Sequence, residues 1–196
     1  MLVAVNERSV GPWARRPDVR IWAVLAVAVA AALVVWLVVV RDDSNGSPTE
    51  APQVSAIPPV AATPDRLRKL SVEAGRPIYW LGPQDGGTYE LTRTPNDRIF
   101  VRYLPAGASV GTTEAKYPLV GTYPVENAYD VLKKLAKASG ESSFTAPKNG
   151  FAVYSTAHPT NIYLAHPASD VQIEVYDPSA AHARELITAG QVVPVG

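Results

Sequence analysis

The chain has 196 residues with three histidines, no cysteine, and 18 Lys+Arg against 18 Asp+Glu, for a formal net charge of zero. No disulfide, iron–sulfur cluster or thiolate zinc site is therefore possible, no cofactor is implied, and the missing basic stripe argues against nucleic acid, whose binding rests on counterion release. The charge is unevenly spread: residues 1–20 carry Arg8, Arg15, Arg16 and Arg20 against Glu7 and Asp18, residues 41–64 carry Arg41 against Asp42, Asp43 and Glu50, and the remainder is balanced.

Residues 21–40 follow the arginine-bearing tail as an unbroken run of eight Val, three Leu, one Ile, six Ala and two Trp. An α-helix rises about 1.5 Å per residue, so a segment of this length covers the roughly 30 Å of bilayer hydrocarbon. Each branched aliphatic favours insertion by about 0.3 to 0.6 kcal/mol, and no charge opposes them. The run predicts one transmembrane helix with the lipid bilayer as its partner. Arginine is retained on the cytoplasmic side, which places residues 1–20 inside and the C-terminal part outside the plasma membrane. A cleaved signal peptide would have an apolar core of roughly 7–15 residues and a small-residue cleavage site. Here the run ends Val38-Val39-Val40-Arg41-Asp42, so an uncleaved signal-anchor is expected. Trp22 and Trp36 lie towards its ends. Ala28 with Ala32, or Ala26 with Ala30, would permit close helix pairing, although alanine is common throughout the chain.

Residues 41–64 contain five prolines and no aromatic residue, and read as a Pro/Ala/Ser-rich, semi-rigid spacer. Residues 65–196 are long enough for one domain with its own core. Its first element is a helix: Thr63 caps, Pro64 occupies the first turn, Leu67, Leu70 and Ala74 mark one face, and Gly75 ends it. Residues 78–81, 88–94 and 99–104 read as strands, separated by a turn over residues 82–87 and a tight turn over residues 95–98. Residues 118–123 add a short strand. Residues 126–137 are helical, with Ala128, Val131, Leu132 and Leu135 at i, i+3, i+4 and i+7. Residues 151–155, 161–165 and 171–176 are three further strands. Asp177 then opens a helix over residues 179–189 with Ala183, Leu186 and Ile187 inward, and residues 191–195 return as a strand.

Hairpins closed by helices predict an α+β domain of two layers, a mainly antiparallel sheet with helices on one face. Tyr79, Tyr89 and Tyr103 precede Tyr154, Tyr163 and Tyr176 by 75, 74 and 73 residues, which is compatible with two ββ(β)α half-repeats or with chance. The segments Ile78-Tyr79-Trp80-Leu81-Gly82-Pro83 and Phe100-Val101-Arg102-Tyr103-Leu104-Pro105 resemble uncharacterised actinobacterial single-pass membrane proteins. The resemblance implies a membrane-anchored chain and assigns no activity.

No residue is nominated as catalytic, cofactor-binding or metal-ligating. Gly107-Ala108-Ser109-Val110-Gly111 fits the GxSxG elbow, but that motif needs a strand–turn–helix, and the following Thr112–Pro118 segment does not read as a helix. His158 and His166 bracket one predicted strand, some 25 Å apart at about 3.3 Å per residue, too far to share a metal. His182 has no ligand partner at helical spacing. Asp85 and Asp97 occupy turns, where Asx side chains bond their own backbone. Tyr79, Trp80 and Asp85 are the candidate ligand- or partner-binding residues, because a tryptophan beside a Gly-Pro turn would suit a groove rim. The leading expectation is a non-catalytic, membrane-anchored binding module contacting an envelope protein or glycan. An envelope-associated hydrolase drawing on Asp85, Asp97, Glu90 and His158 is the alternative, and an assembly role through paired spans is a third.

Overall fold

The computed structural model describes residues 54–196. Its elements are β1 (Ile57–Ala62), α1 (Pro64–Ala74), β2 (Tyr79–Trp80), β3 (Thr88–Arg93), β4 (Ile99–Leu104), β5 (Leu119–Pro124), α2 (Ala128–Leu135), β6 (Glu141–Ala146), β7 (Gly150–Ser155), β8 (Asn161–Ala165), β9 (Val171–Tyr176), α3 (Ala180–Thr188) and β10 (Val193–Pro194). The expected tail and transmembrane helix over residues 1–40 lie outside the described residues, among which no helix is long and apolar enough to cross a membrane.

Eight strands form one antiparallel sheet in the order β1-β3-β4-β5-β9-β8-β7-β6, and β2 pairs with β10 in a small separate ladder. The domain is α+β, as the hairpin pattern requires. The α1 capping signals act as read, whereas α3 is capped by Ser179 and not by Asp177, whose carboxylate accepts from Ser179 N–H before the helix. Thr63 Oγ1 accepts from Arg66 N–H, and Gly75 closes α1 in the left-handed region at φ 64°. Ser179 Oγ accepts from His182 N–H at the start of α3, while Asp177 accepts from Ser179 N–H at 2.8 Å.

Three further expectations are corrected. Residues 57–62, assigned to the spacer, form outer strand β1. Its paired prolines Pro58 and Pro59 are tolerated because an edge strand has N–H positions that no neighbour needs, and its register to β3 shifts between Ile57 and Val60. Residues 141–146 were not expected as a strand, yet they form β6. Only Phe144 and Ala146 of that Ser-rich stretch pack towards the main core, so hydrophobic alternation is faint.

The third correction concerns the layers. Leu67 and Leu70 of α1 and Ala183, Leu186 and Ile187 of α3 pack with Leu91, Ile99, Val101, Val120, Ile162, Leu164, Ile173 and Val175 from one face of the sheet. Ala128, Leu132 and Leu135 of α2 pack with Val153, Tyr163 and Ala165, whose side chains point to the opposite face. The helices therefore do not share one face, and the β7–β9 part of the sheet is covered on both.

The strand order reads as two four-stranded halves, β1-β3-β4-β5 and β6-β7-β8-β9, joined where β5 pairs β9 from Leu119↔Tyr176 to Pro124↔Val171. The tyrosine spacing does not trace these halves. It matches β3 with β8 and β4 with β9, which occupy different positions in the order, and Tyr79 lies outside the large sheet. Nor do the closing helices repeat, since α2 and α3 fall on opposite faces.

Candidate functional site

An open groove of about 490 Å³ lies where β3 begins and β4 ends. The chain leaves β2 through Gly82 (φ 79°) and turns at Gly86 (φ 73°), two conformations that favour glycine. Gly87 lies so close to β4 that a Cβ there would meet Leu104 O at 3.0 Å. Gln84, Asp85, Gly86 and Gly87 form one wall, Lys116, Tyr117 and Pro118 another, with Tyr89 and Tyr103 between.

The tyrosine hydroxyls are already committed. Tyr89 Oη accepts from Gln84 N–H at 2.7 Å, and Tyr103 Oη accepts from Leu81 N–H at 2.6 Å. Burial pushes the Tyr103 phenol far above its ordinary range. The two rings meet edge-on at 5.5 Å, so the floor is rigid. Lys116 Nζ pairs with Glu114 at 2.7 Å and lies 5.5 Å from the centre of the Tyr117 ring. Among the described residues, no group hydrogen-bonds or ion-pairs with the Asp85 carboxylate.

Of the three candidates from sequence, only Asp85 lines this groove. Trp80 is 6% exposed and packs edge-on against Tyr89 at 5.6 Å, so it supports the site from within the core and forms no rim. Tyr79 stacks on His166 with ring centres 6.2 Å apart and planes 22° from parallel. The close approach of His166 to the chain needs Gly150, where a Cβ would meet the imidazole at 3.1 Å. Burial draws the His166 pKa downward. Sequence reasoning missed Lys116 and Tyr117, since nothing local signals that residues 105–118 fold back beside the β2–β3 turn.

The hydrolase candidates are not brought together. Asp97, in the left-handed region at φ 61°, ends the β3–β4 turn clamped by Arg76 and by Arg93 Nε at 2.6 Å. Burial raises its pKa, but the two guanidiniums outweigh that and hold the carboxyl below the usual range. Glu90 is buried against Arg102 at 2.6 Å. His158 is exposed in the turn before β8. Ser109 is exposed in a looped stretch where Thr112 N–H bonds Ser109 O at 3.2 Å, with no strand–turn–helix around it. That loop is pinned to the sheet, because Gly111 N–H donates to Glu90 Oε2 at 2.5 Å and Arg102 Nη2 donates to Thr112 O at 2.8 Å.

A second polar cluster occupies the α2 side of the sheet. Glu174 is fully buried and accepts from the Tyr123 hydroxyl and from Asn161 Nδ2, the latter at 2.5 Å. Tyr123 reaches it by lying across Gly121, where a Cβ would stand 2.8 Å from the ring. Burial pushes the Glu174 carboxyl upward, against the pull of the Tyr123 and Asn161 hydrogen bonds and the Arg98 charge. The Arg98 guanidinium lies 5.5 Å from the Tyr123 ring centre, and Tyr163 Oη beside Glu174 is buried without a hydrogen-bond partner among the described residues. The same residues contain no group of three or more His, Asp or Glu side chains placed to hold a metal ion. No protein-family model, curated protein or solved structure matches the chain.

Proposed function

We propose that the chain is a single-pass membrane protein whose domain outside the plasma membrane binds an envelope glycan in the groove. Residues 21–40 hold it in the bilayer, and the segment before β1 acts as the spacer. The observation that carries the reading is the groove's composition. An unpaired Asp85 carboxylate stands with Gln84 and the half-exposed Tyr117 ring on a floor whose hydroxyls are already satisfied. A sugar hydroxyl donates to a carboxylate, and a sugar face packs on an aromatic ring.

The described chain begins at the end of the sheet away from the groove. Val54 N–H bonds Pro95 O at 2.9 Å, and β1 starts opposite Arg93 and ends opposite Tyr89. The tether thus joins at the β3–β4 turn, a full strand length of roughly 17–20 Å from the groove end.

The test is co-sedimentation of the full-length protein, in detergent, with purified envelope glycan. Asp85→Asn and Tyr117→Ala are each expected to weaken retention about tenfold, the effect of losing one charged hydrogen bond or one stacking contact. Retention equal to that of an unrelated membrane protein, or unchanged in both variants, contradicts the reading.

A further inference from the structure

The two outer strands of the sheet differ in how they meet solvent. A free strand edge is a template for another strand, and proteins blunt such edges with proline, lysine or a bulge. β1 carries Pro58, Pro59 and a register shift. β6 has none of these devices. Its register with β7 is unbroken from Glu141↔Ser155 to Ala146↔Gly150, and it contains no proline and no basic residue. Among the described residues, no strand pairs with its outer edge, and its one backbone bond outside the ladder is Glu141 N–H to Ala138 O at 3.3 Å. Ser143 and Thr145 are exposed, while Phe144 is half-buried between Tyr154 and the Arg184 guanidinium, 4.3 Å from its ring centre.

We propose that β6 is a homotypic docking edge, on which a second copy of this chain adds its own β6 antiparallel across a two-fold axis normal to the sheet. Charge favours a second copy. Glu141 is the one charged side chain in the strand and stands at its end. On an axis passing between residues 143 and 145, the two glutamates are held roughly 13 Å or more apart. The same pairing brings Lys148 of each copy towards Glu141 of the other. The described chain begins at β1, seven strand spacings from this edge at about 4.8 Å each. Confinement to one membrane would raise the effective concentration of the two edges, so a six-residue pairing suffices.

The chain's lack of cysteine permits a direct test. Ser143→Cys, Phe144→Cys and Thr145→Cys are made singly in the full-length protein, reconstituted in lipid vesicles and oxidised, with Ala61→Cys on β1 as the control. A disulfide needs Cα atoms within about 7 Å, which only the residue on the axis satisfies, because neighbours one and two places away lie roughly 8 and 14 Å from their own copies. One of the three is expected to form homodimer about tenfold above Ala61→Cys, and setting like charges opposite one another in the register so identified (Thr145→Glu facing Glu141 for Ser143→Cys, Ser143→Lys with Thr145→Lys for Phe144→Cys, Ser142→Lys facing Lys148 for Thr145→Cys) is expected to abolish it. Equal yields at all four positions, or a dimer indifferent to the added charge, overturns the proposal.

Discussion

The two faces of the sheet are stabilised by different chemistry. The face under α1 and α3 is almost wholly apolar, and Leu67, Leu70, Leu91, Ile99, Ile173 and Val175 are fully buried there. The other face buries Glu90 with Arg102 and Glu174 with Tyr123 and Asn161 beside the smaller α2 cluster. On the apolar face, any side chain of the right size and period serves. On the polar face each buried charge must meet a particular partner, because an unpaired one costs several kcal/mol.

That contrast orders the expected losses. Arg102→Met strips Glu90 of its only cationic partner among the described residues, leaving it the Gly111 N–H, and frees Thr112 O, and is expected to cost about 3–5 kcal/mol in urea unfolding. The Glu90→Leu/Arg102→Met double variant should recover most of it, since replacing both partners removes the uncompensated charge. A double variant no more stable than the single one would show that the pair matters chiefly as the anchor of the 105–118 loop. On the apolar face, Leu70→Ala should cost about 2–5 kcal/mol whatever stands beside it.

Gly121→Ala sharpens the comparison at the second cluster. The added methyl displaces the Tyr123 ring from Glu174, for an expected 1–3 kcal/mol, roughly the cost of overpacking. Glu174→Gln separates charge from shape by its pH dependence. Because the folded-state pKa of Glu174 is raised, folding favours its protonated form. The stability it supports is fully present below its ordinary value of 4.5 and is lost as pH climbs through the raised value. Unfolding curves of the two proteins should therefore run parallel at acid pH and diverge above pH 4.5, with Glu174→Gln the more stable at neutral pH. Parallel curves at every pH would mean that folding leaves the Glu174 pKa at its ordinary value.

The same contrast explains what was legible in the sequence. Alternation marked β3, and Thr63, Pro64 and Gly75 marked the ends of α1, because these signals are local. Glu90 reads as a solvent-facing residue of β3 until β4 sets Arg102 directly opposite it, and Glu174 reads as an outward position of β9 until Tyr123 crosses Gly121 to meet it. Both outer strands escaped for the reason that makes them outer: prolines in β1 and serines in β6 suppress the apolar period. Trp80 drew attention as a rim residue because exposure cannot be read from residue type. Lys116 and Tyr117 join Asp85 only through a long loop whose path is set by Glu90 and Arg102.

The central claim is that the arginine-bearing tail lies inside the cell and the folded domain outside it, and cysteine labelling tests it most directly. Single cysteines at Ser9 and at the exposed Ser109 are introduced into the otherwise cysteine-free chain, and intact cells are treated with a membrane-impermeant maleimide. The account predicts that Ser109→Cys is labelled without lysis, that Ser9→Cys is labelled only after permeabilisation, and that both proteins sediment with membranes. Labelling at Ser109→Cys only after lysis, or recovery of the protein in a detergent-free supernatant, would contradict it.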